Sequence, residues 1–142
     1  MQKYVEFNPV KFLKESKTWS GEIKRLEAEL ASLTELSGQK ENVGGRGSGT
    51  SDRTGQVVVK RDVIRSQIGR YEFYKKVLDY TLNHITGVHR EVIEAFYIKS
   101  GYVTSNARKV AEKYYIDYPK GIYKVRREAM EEFVDVITDN FL

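Results

Sequence analysis

The sequence predicts an all-α fold, and three features carry that expectation. Two long stretches place apolar residues at alternating spacings of four and three, the composition has only two prolines with 31% charged residues, and the C-terminal third breaks into short amphipathic runs. An all-β fold does not fit that pattern. At 142 residues the chain has room for one ordinary domain, or for a small domain with an extended helical element.

The first helix is expected from about Ser16 or Trp19 to Leu36. Trp19, Ile23, Leu26, Leu30 and Leu33 form one apolar seam, and Glu22, Lys24, Arg25, Glu27 and Glu29 lie between them as a solvated face. From Ser37 to Gly55 the sequence turns to SGQKENVGGRGSGTSDRTG, with too little apolar surface to offset the entropy of ordering it. A mobile connector over 38–55 is therefore expected. The GGRGSGTS stretch within it has a superficial likeness to a phosphate-binding loop, but lacks the lysine and the preceding strand that such a loop needs. Arg46 and Arg53 remain free to touch a nucleic acid or a partner if the connector folds on binding.

A second, longer helix is expected from about Gln56 to Ile85, with Val57, Arg61, Ile64, Ile68, Tyr71, Lys75, Leu78, Leu82 and Ile85 on its seam. Two seams joined by a connector describe a long antiparallel helical hairpin occupying 1–85, or equally a dimeric bundle. The small surface that two helices alone can bury favours a homodimer through these N-terminal helices. Arg61 and Lys75 on the seam suit hairpin ends or a register-setting contact. Thr86-Gly87 is expected to close the second helix.

Residues 86–142 are expected to form a three-helix module with a helix-turn-helix, its helices at about His89 to Lys99, Ser105 to Tyr115, and Pro119 to Asp139. Thr104, Ser105 and Asn106 offer caps to the middle helix, and Pro119 suits a first helical position. In the last helix Ile122, Val125, Ala129, Phe133 and Val136 share one face, leaving Lys120, Lys124, Arg127 and Glu131 on the other. The middle helix buries Ala107, Val110, Ala111 and Tyr114 and turns Arg108, Lys109 and Lys113 outward.

This segregation of apolar from basic residues is what a DNA reader needs. Lys120, Lys124 and Arg127 occupy the positions from which a recognition helix reaches the major groove, with Tyr123 flanking them. Arg126 lies nearer the core boundary and suits phosphate contact or packing. Arg108, Lys109 and Lys113 can neutralise backbone phosphates, and the amides around Ser105 can accept one at the helix N-terminus. With a net charge of +4, placement of the charge matters more than its total.

The stretch from Val88 to Phe133 resembles the C-terminal, promoter-reading helix-turn-helix of bacterial sigma factors. Arg90-Glu91-Val92, Ala111, Ile122 and Ala129 match its pattern, Phe133 stands in the usual leucine place, and the turn from Ile116 to Ile122 is a residue longer than usual. Taken whole, with its leading helices and Gly/Ser-rich break, the chain is similar to phage late-gene transcriptional regulators of the ArpU and RinA type. The resemblance implies a sequence-specific regulator of phage or prophage genes that binds double-stranded promoter or operator DNA and works beside host RNA polymerase. No segment resembles the sigma region that melts promoters. Two other readings compete: a small-terminase-like DNA-packaging protein assembling into a ring, and a helical interaction module whose basic face meets an acidic protein surface.

Other chemistry finds little support. The chain has no cysteine, and His84 and His89 have no carboxylates at metal-ligand spacing, so neither a metal site nor a cofactor is expected. The carboxylates are scattered over solvated faces and form no acid–base pair, so the chain is not expected to be an enzyme. Of the ten tyrosines, Tyr71, Tyr97 and Tyr114 are expected in cores, while Tyr102, Tyr115, Tyr118 and Tyr123 are freer. No apolar run approaches the roughly 20 residues that span a bilayer, and the N-terminus lacks a signal-peptide pattern, so a cytoplasmic protein without membrane association is expected.

Overall fold

In the computed structural model the described residues are 7–43 and 48–142, with side chains described for 7–33 and 55–142. The fold is all-α, and no strand occurs among the described residues. The helices are α1 (Pro9–Val43), α2 (Ser48–Asn83), α3 (Gly87–Ile93), which runs into a single π-helical turn (Glu94–Ile98), α4 (Val103–Lys113) and α5 (Lys120–Phe141). No helix among the described residues is long and apolar enough to cross a membrane.

Both long helices exceed their expected bounds. Residues 38–43 close α1 and 48–55 open α2, so most of the expected connector is helical, while 44–47, including Arg46, lie outside the described residues. The GGRGSGTS segment falls partly there too. Extending an established helix adds one hydrogen bond per residue fixed, which a composition argument about burial overlooks. At the far end, α2 stops at Asn83 and Gly87 opens α3, with no positive φ, so Gly87 is not the expected terminator.

Two compact units result: Met1–Lys17 with Lys75–Leu142, and Thr18–Tyr74. The division therefore falls inside α1 and α2, not at the expected boundary after residue 85. The reason is apolar: Leu13 of α1 and Val77 and Leu82 of α2 belong to the same core as the C-terminal helices.

Within the Thr18–Tyr74 unit, α1 buries Trp19, Ile23 and Leu26 and α2 buries Val57 and Ile64, all on the expected seams. The Trp19 ring lies 5.6 Å from that of Tyr74, and Arg25, farther along α1, is within electrostatic reach of Tyr71, earlier in α2. Arg61 also takes its place on the seam, its Nε buried without a hydrogen-bond partner, whereas Lys75 is exposed.

In the other unit the core joins Leu13, Val77, Leu82, Val92, Ile93, Ala95 and Phe96 to Ala107, Val110 and Ala111 of α4 and Ile122, Ala129, Phe133 and Ile137 of α5. The faces expected of α4 and α5 are the buried ones, with Val125 and Val136 half-buried and Ile137 taking the place expected of Val136. Thr81 is fully buried and satisfies its hydroxyl on the Val77 carbonyl one turn back at 2.7 Å.

Carboxylates tie α3 to its neighbours on two sides. Glu91 accepts both from Lys113 Nζ, at 3.0 Å, and from the Tyr114 hydroxyl, fastening α3 to the end of α4. On the other side Glu132 of α5 accepts from the Thr86 amide at 3.0 Å, the Thr86 hydroxyl at 3.3 Å and His89 Nδ1 at 2.6 Å. Thr86 is the N-cap of α3 and makes no cap bond with its own side chain, so Glu132 supplies an acceptor there from another helix.

These bonds have a pH signature. Hydrogen bonds from Tyr114 and Lys113 hold the Glu91 carboxyl below its ordinary value of 4.5. Burial, the largest influence on Glu132, pushes its carboxyl up, but the bonds from His89 and Thr86 outweigh it and the net direction is down. A carboxyl lowered on folding contributes stability that is complete above its unfolded value and is lost as pH falls through the folded one. We expect the thermal midpoint to decline as pH drops below about 4.5. A Glu91→Gln/Glu132→Gln variant should be less stable at neutral pH and lose less on acidification. Parallel pH profiles for the two proteins would remove these carboxylates from the account.

Candidate nucleic-acid interface

The segment in which a helix-turn-helix is expected centres on the junction between α4 and α5. At the end of α4, Tyr115 adopts a left-handed conformation (φ 56°), the Ile116 amide reaches back to the Ala111 carbonyl at 2.8 Å and the Tyr115 amide to Glu112 at 3.4 Å. This is the Schellman pattern, with tyrosine where glycine is usual. The Tyr115 side chain is 96% exposed, so no packing compensates its backbone conformation.

The start of α5 explains Gly121. A Cβ there would lie 2.9 Å from Asp117 Cβ and 3.2 Å from Ile116 Cγ2, so only glycine lets the first turn of α5 sit this close to the turn before it. Sequence reasoning sees only the helix propensity that glycine forfeits. The Ile122 amide donates to Asp117 at 2.9 Å, and α5 proper begins at Lys120, with Pro119 as its N-cap rather than its first residue. The middle helix, by contrast, starts before its expected position, at Val103 with Tyr102 as N-cap. There Ser105 is an exposed first-turn residue and Asn106 donates to the Ser100 carbonyl at 3.1 Å, so neither caps the helix by its side chain.

With Ile122, Ala129 and Phe133 fully buried, the opposite face of α5 presents Lys120, Lys124 and Arg127 to solvent. None of the three makes an ion pair among the described residues, and the same holds for Lys109 on α4. Arg108 is exposed, with its guanidinium 5.0 Å from the centre of the Tyr118 ring.

Two of the expected phosphate ligands are otherwise engaged. Arg126 sits between Phe96, at 5.0 Å, and Tyr123, at 5.1 Å, and is half-buried, so of its two expected roles the geometry gives packing. Lys113 is held by Glu91 and lies over the Tyr114 ring at 5.3 Å. Tyr123 is 43% exposed, one side against Phe96 and Arg126.

Sequence reasoning missed the groove beside this face. Tyr97, Tyr123, Arg126, Arg127, Met130, Glu131, Val134 and Asp135 line an open cleft of about 570 Å³. Tyr97 reaches it because the π-helical turn, closed by the Lys99 amide on the Glu94 carbonyl at 2.7 Å, inserts an extra residue and shifts the side chains that follow. No pattern of residue types in Glu-Ala-Phe-Tyr-Ile announces such a turn. Glu132 meets His89 from 43 residues away in sequence, a pairing that local spacing does not show. Among the described residues, no three His, Asp or Glu side chains gather so as to hold a metal ion.

No protein-family model, curated protein or solved structure matches this chain. The protein is all-α, and Lys120, Lys124 and Arg127 on its last helix make no ion pair among the described residues.

Proposed function

We propose that the chain is a sequence-specific, double-stranded-DNA-binding transcriptional regulator of the phage or prophage late-gene type, acting in the cytoplasm on a promoter or operator beside host RNA polymerase. The last helix is the recognition helix, and α4 with α3 is its support. Lys120, Lys124 and Arg127 reach base edges or phosphates in the major groove, with Tyr123 at their flank. Arg108, Lys109 and the α4 amides near Ser105 anchor the backbone, whereas Arg126 stiffens the base of the helix against Phe96. The N-terminal helices serve assembly or polymerase contact.

One observation carries this reading: three cations stand on a single open face, opposite a fully buried apolar one, with no ion-pair partner among the described residues. Glu128 and Glu131 stand four residues after Lys124 and Arg127, the spacing at which helix ion pairs form, yet neither pairs with them among the described residues, which leaves the cations open to a polyanion.

Fluorescence anisotropy of duplex DNA over a salt series tests the proposal, because neutralised phosphates release counterions and affinity must fall steeply with salt. Once a cognate site is known from sequenced genomic fragments, Lys124→Ala or Arg127→Ala should weaken binding to it by about 1 to 3 kcal/mol for a base contact. Absence of binding at low salt would favour an acidic protein partner instead. A large closed ring in light scattering would favour DNA packaging.

A further inference from the structure

The outer stripe of α5 changes sign halfway along. Lys120, Lys124, Arg127, Glu131 and Asp135 follow one another at spacings of four, three, four and four, so they share one face, and all are exposed. Glu128 and Asp139, also exposed, flank its second half. The first half of the helix sets Lys120, Lys124, Arg126 and Arg127 against Glu128 alone, whereas residues 130–141 hold Glu131, Glu132, Asp135 and Asp139 and no cation. Of these acids Glu132 is bonded to Thr86 and His89, but Glu128, Glu131, Asp135 and Asp139 make no ion pair among the described residues.

This order runs against the helix itself. A helix carries partial positive charge at its N-terminus and negative at its C-terminus, so Lys120 in the first turn and Asp139 in the last each stand at the end that disfavours their sign. Acid four residues before base is the better order for a pair along a helix, and Lys124 with Glu128 and Arg127 with Glu131 have the reverse. Folding gains nothing from the segregation. A polyanion feels all of it: over the first two turns cationic side chains and backbone amides attract together, and beyond them carboxylates and the carbonyl end repel together.

At about 1.5 Å of rise per residue, Lys120 to Arg127 spans roughly 10 Å, with Glu131 about 6 Å and Asp135 about 12 Å farther on. The cationic stretch therefore suits a major groove about 12 Å wide met by one end of the helix. A duplex lying along the whole of α5 would instead bring phosphates onto Glu131, Asp135 and Asp139. We propose that these three carboxylates are an electrostatic stop that determines specificity: they deny α5 the lengthwise contact by which a basic helix holds any DNA, and leave entry by its first two turns. The inference rests on the nucleic-acid reading and adds to it residues that discriminate by repulsion.

Anisotropy of a mixed-sequence duplex of about 30 base pairs over a salt series tests it. The full chain carrying Glu131→Gln/Asp135→Asn/Asp139→Asn is compared with Glu27→Gln/Asp62→Asn/Glu72→Gln, which removes the same charge from exposed carboxylates of α1 and α2 that make no ion pair among the described residues. At low salt the α5 variant should bind at least about tenfold more tightly than this control, and its slope of log affinity against log salt should steepen by about one or more, because further phosphates come into contact. Its preference for a site recovered from genomic fragments over the mixed duplex should shrink by a similar factor. Equal gains in the two variants would overturn the proposal, since net charge alone accounts for them, and so would a slope no steeper than the control's. A parent that binds no duplex at low salt would instead sink the nucleic-acid reading, and the stop with it.

Discussion

Phe133→Ala is expected to cost about 3 to 5 kcal/mol of stability. The ring is fully buried on the inner face of α5 and lies 6.4 Å from Phe12 of the first turns of α1. It belongs to the core that also holds Leu13, Val92, Ile93 and Ala129, so removing it leaves a cavity bordered by side chains of three helices. Those side chains are fixed by the Glu91 and Glu132 bonds as well as by packing, which limits how far the site can collapse. A domain of this size has a total stability of about 5 to 15 kcal/mol, so the variant should be marginal at 37 °C or, at best, melt roughly 10 °C lower. Urea denaturation gives the check: the midpoint should fall with little change in slope, and Phe133→Leu should fall less. A loss below about 1 kcal/mol would mean that the region around Phe133 yields and does not act as the keystone of this core.

The same helix shows how far the sequence carries and where it stops. Ile122, Ala129 and Phe133 were legible because a 3.6-residue period is a property of the helix itself, and Ala107, Val110 and Ala111 were legible on α4 for the same reason. The helical seams of α1 and α2 followed likewise from spacing. What escaped were features set by approach rather than by period. The π-helical turn changes the register by one residue inside an apolar run that reads the same either way. Tyr115 holds a conformation for which glycine is the usual signal, and Gly121 is needed for close contact with Asp117 and not for a turn. Arg126 carries the same formal charge as Arg127, one position along the helix, yet lies between two aromatic rings. Charge in the sequence says which side chains can bind a polyanion; only the neighbours say which are left to do so. Lys113 and Arg126 already have partners, Glu91 and two aromatic rings, whereas Lys120, Lys124 and Arg127 make no ion pair among the described residues.

Reversing charge on the remaining face should therefore have the largest effect on function. We expect Lys124→Glu/Arg127→Glu to reduce affinity for duplex DNA by about a thousandfold, close to 4 kcal/mol, at low salt. Two cations are lost, and two anions are placed one turn apart on the face that would approach the phosphates. The salt dependence should flatten at the same time, since each phosphate contact removed lowers the slope of log affinity against log salt by about one. Folding should not suffer: both side chains are exposed and make no ion pair among the described residues. The control is Arg126→Met, which removes a cation of the same helix from its aromatic sandwich. It should cost stability through lost contact with Phe96 and Tyr123 while leaving the salt slope near the parent's. If Arg126→Met flattened the slope and Lys124→Glu/Arg127→Glu did not, the polyanion would have to meet α5 from the side of the aromatic groove, and the open face would lose its role.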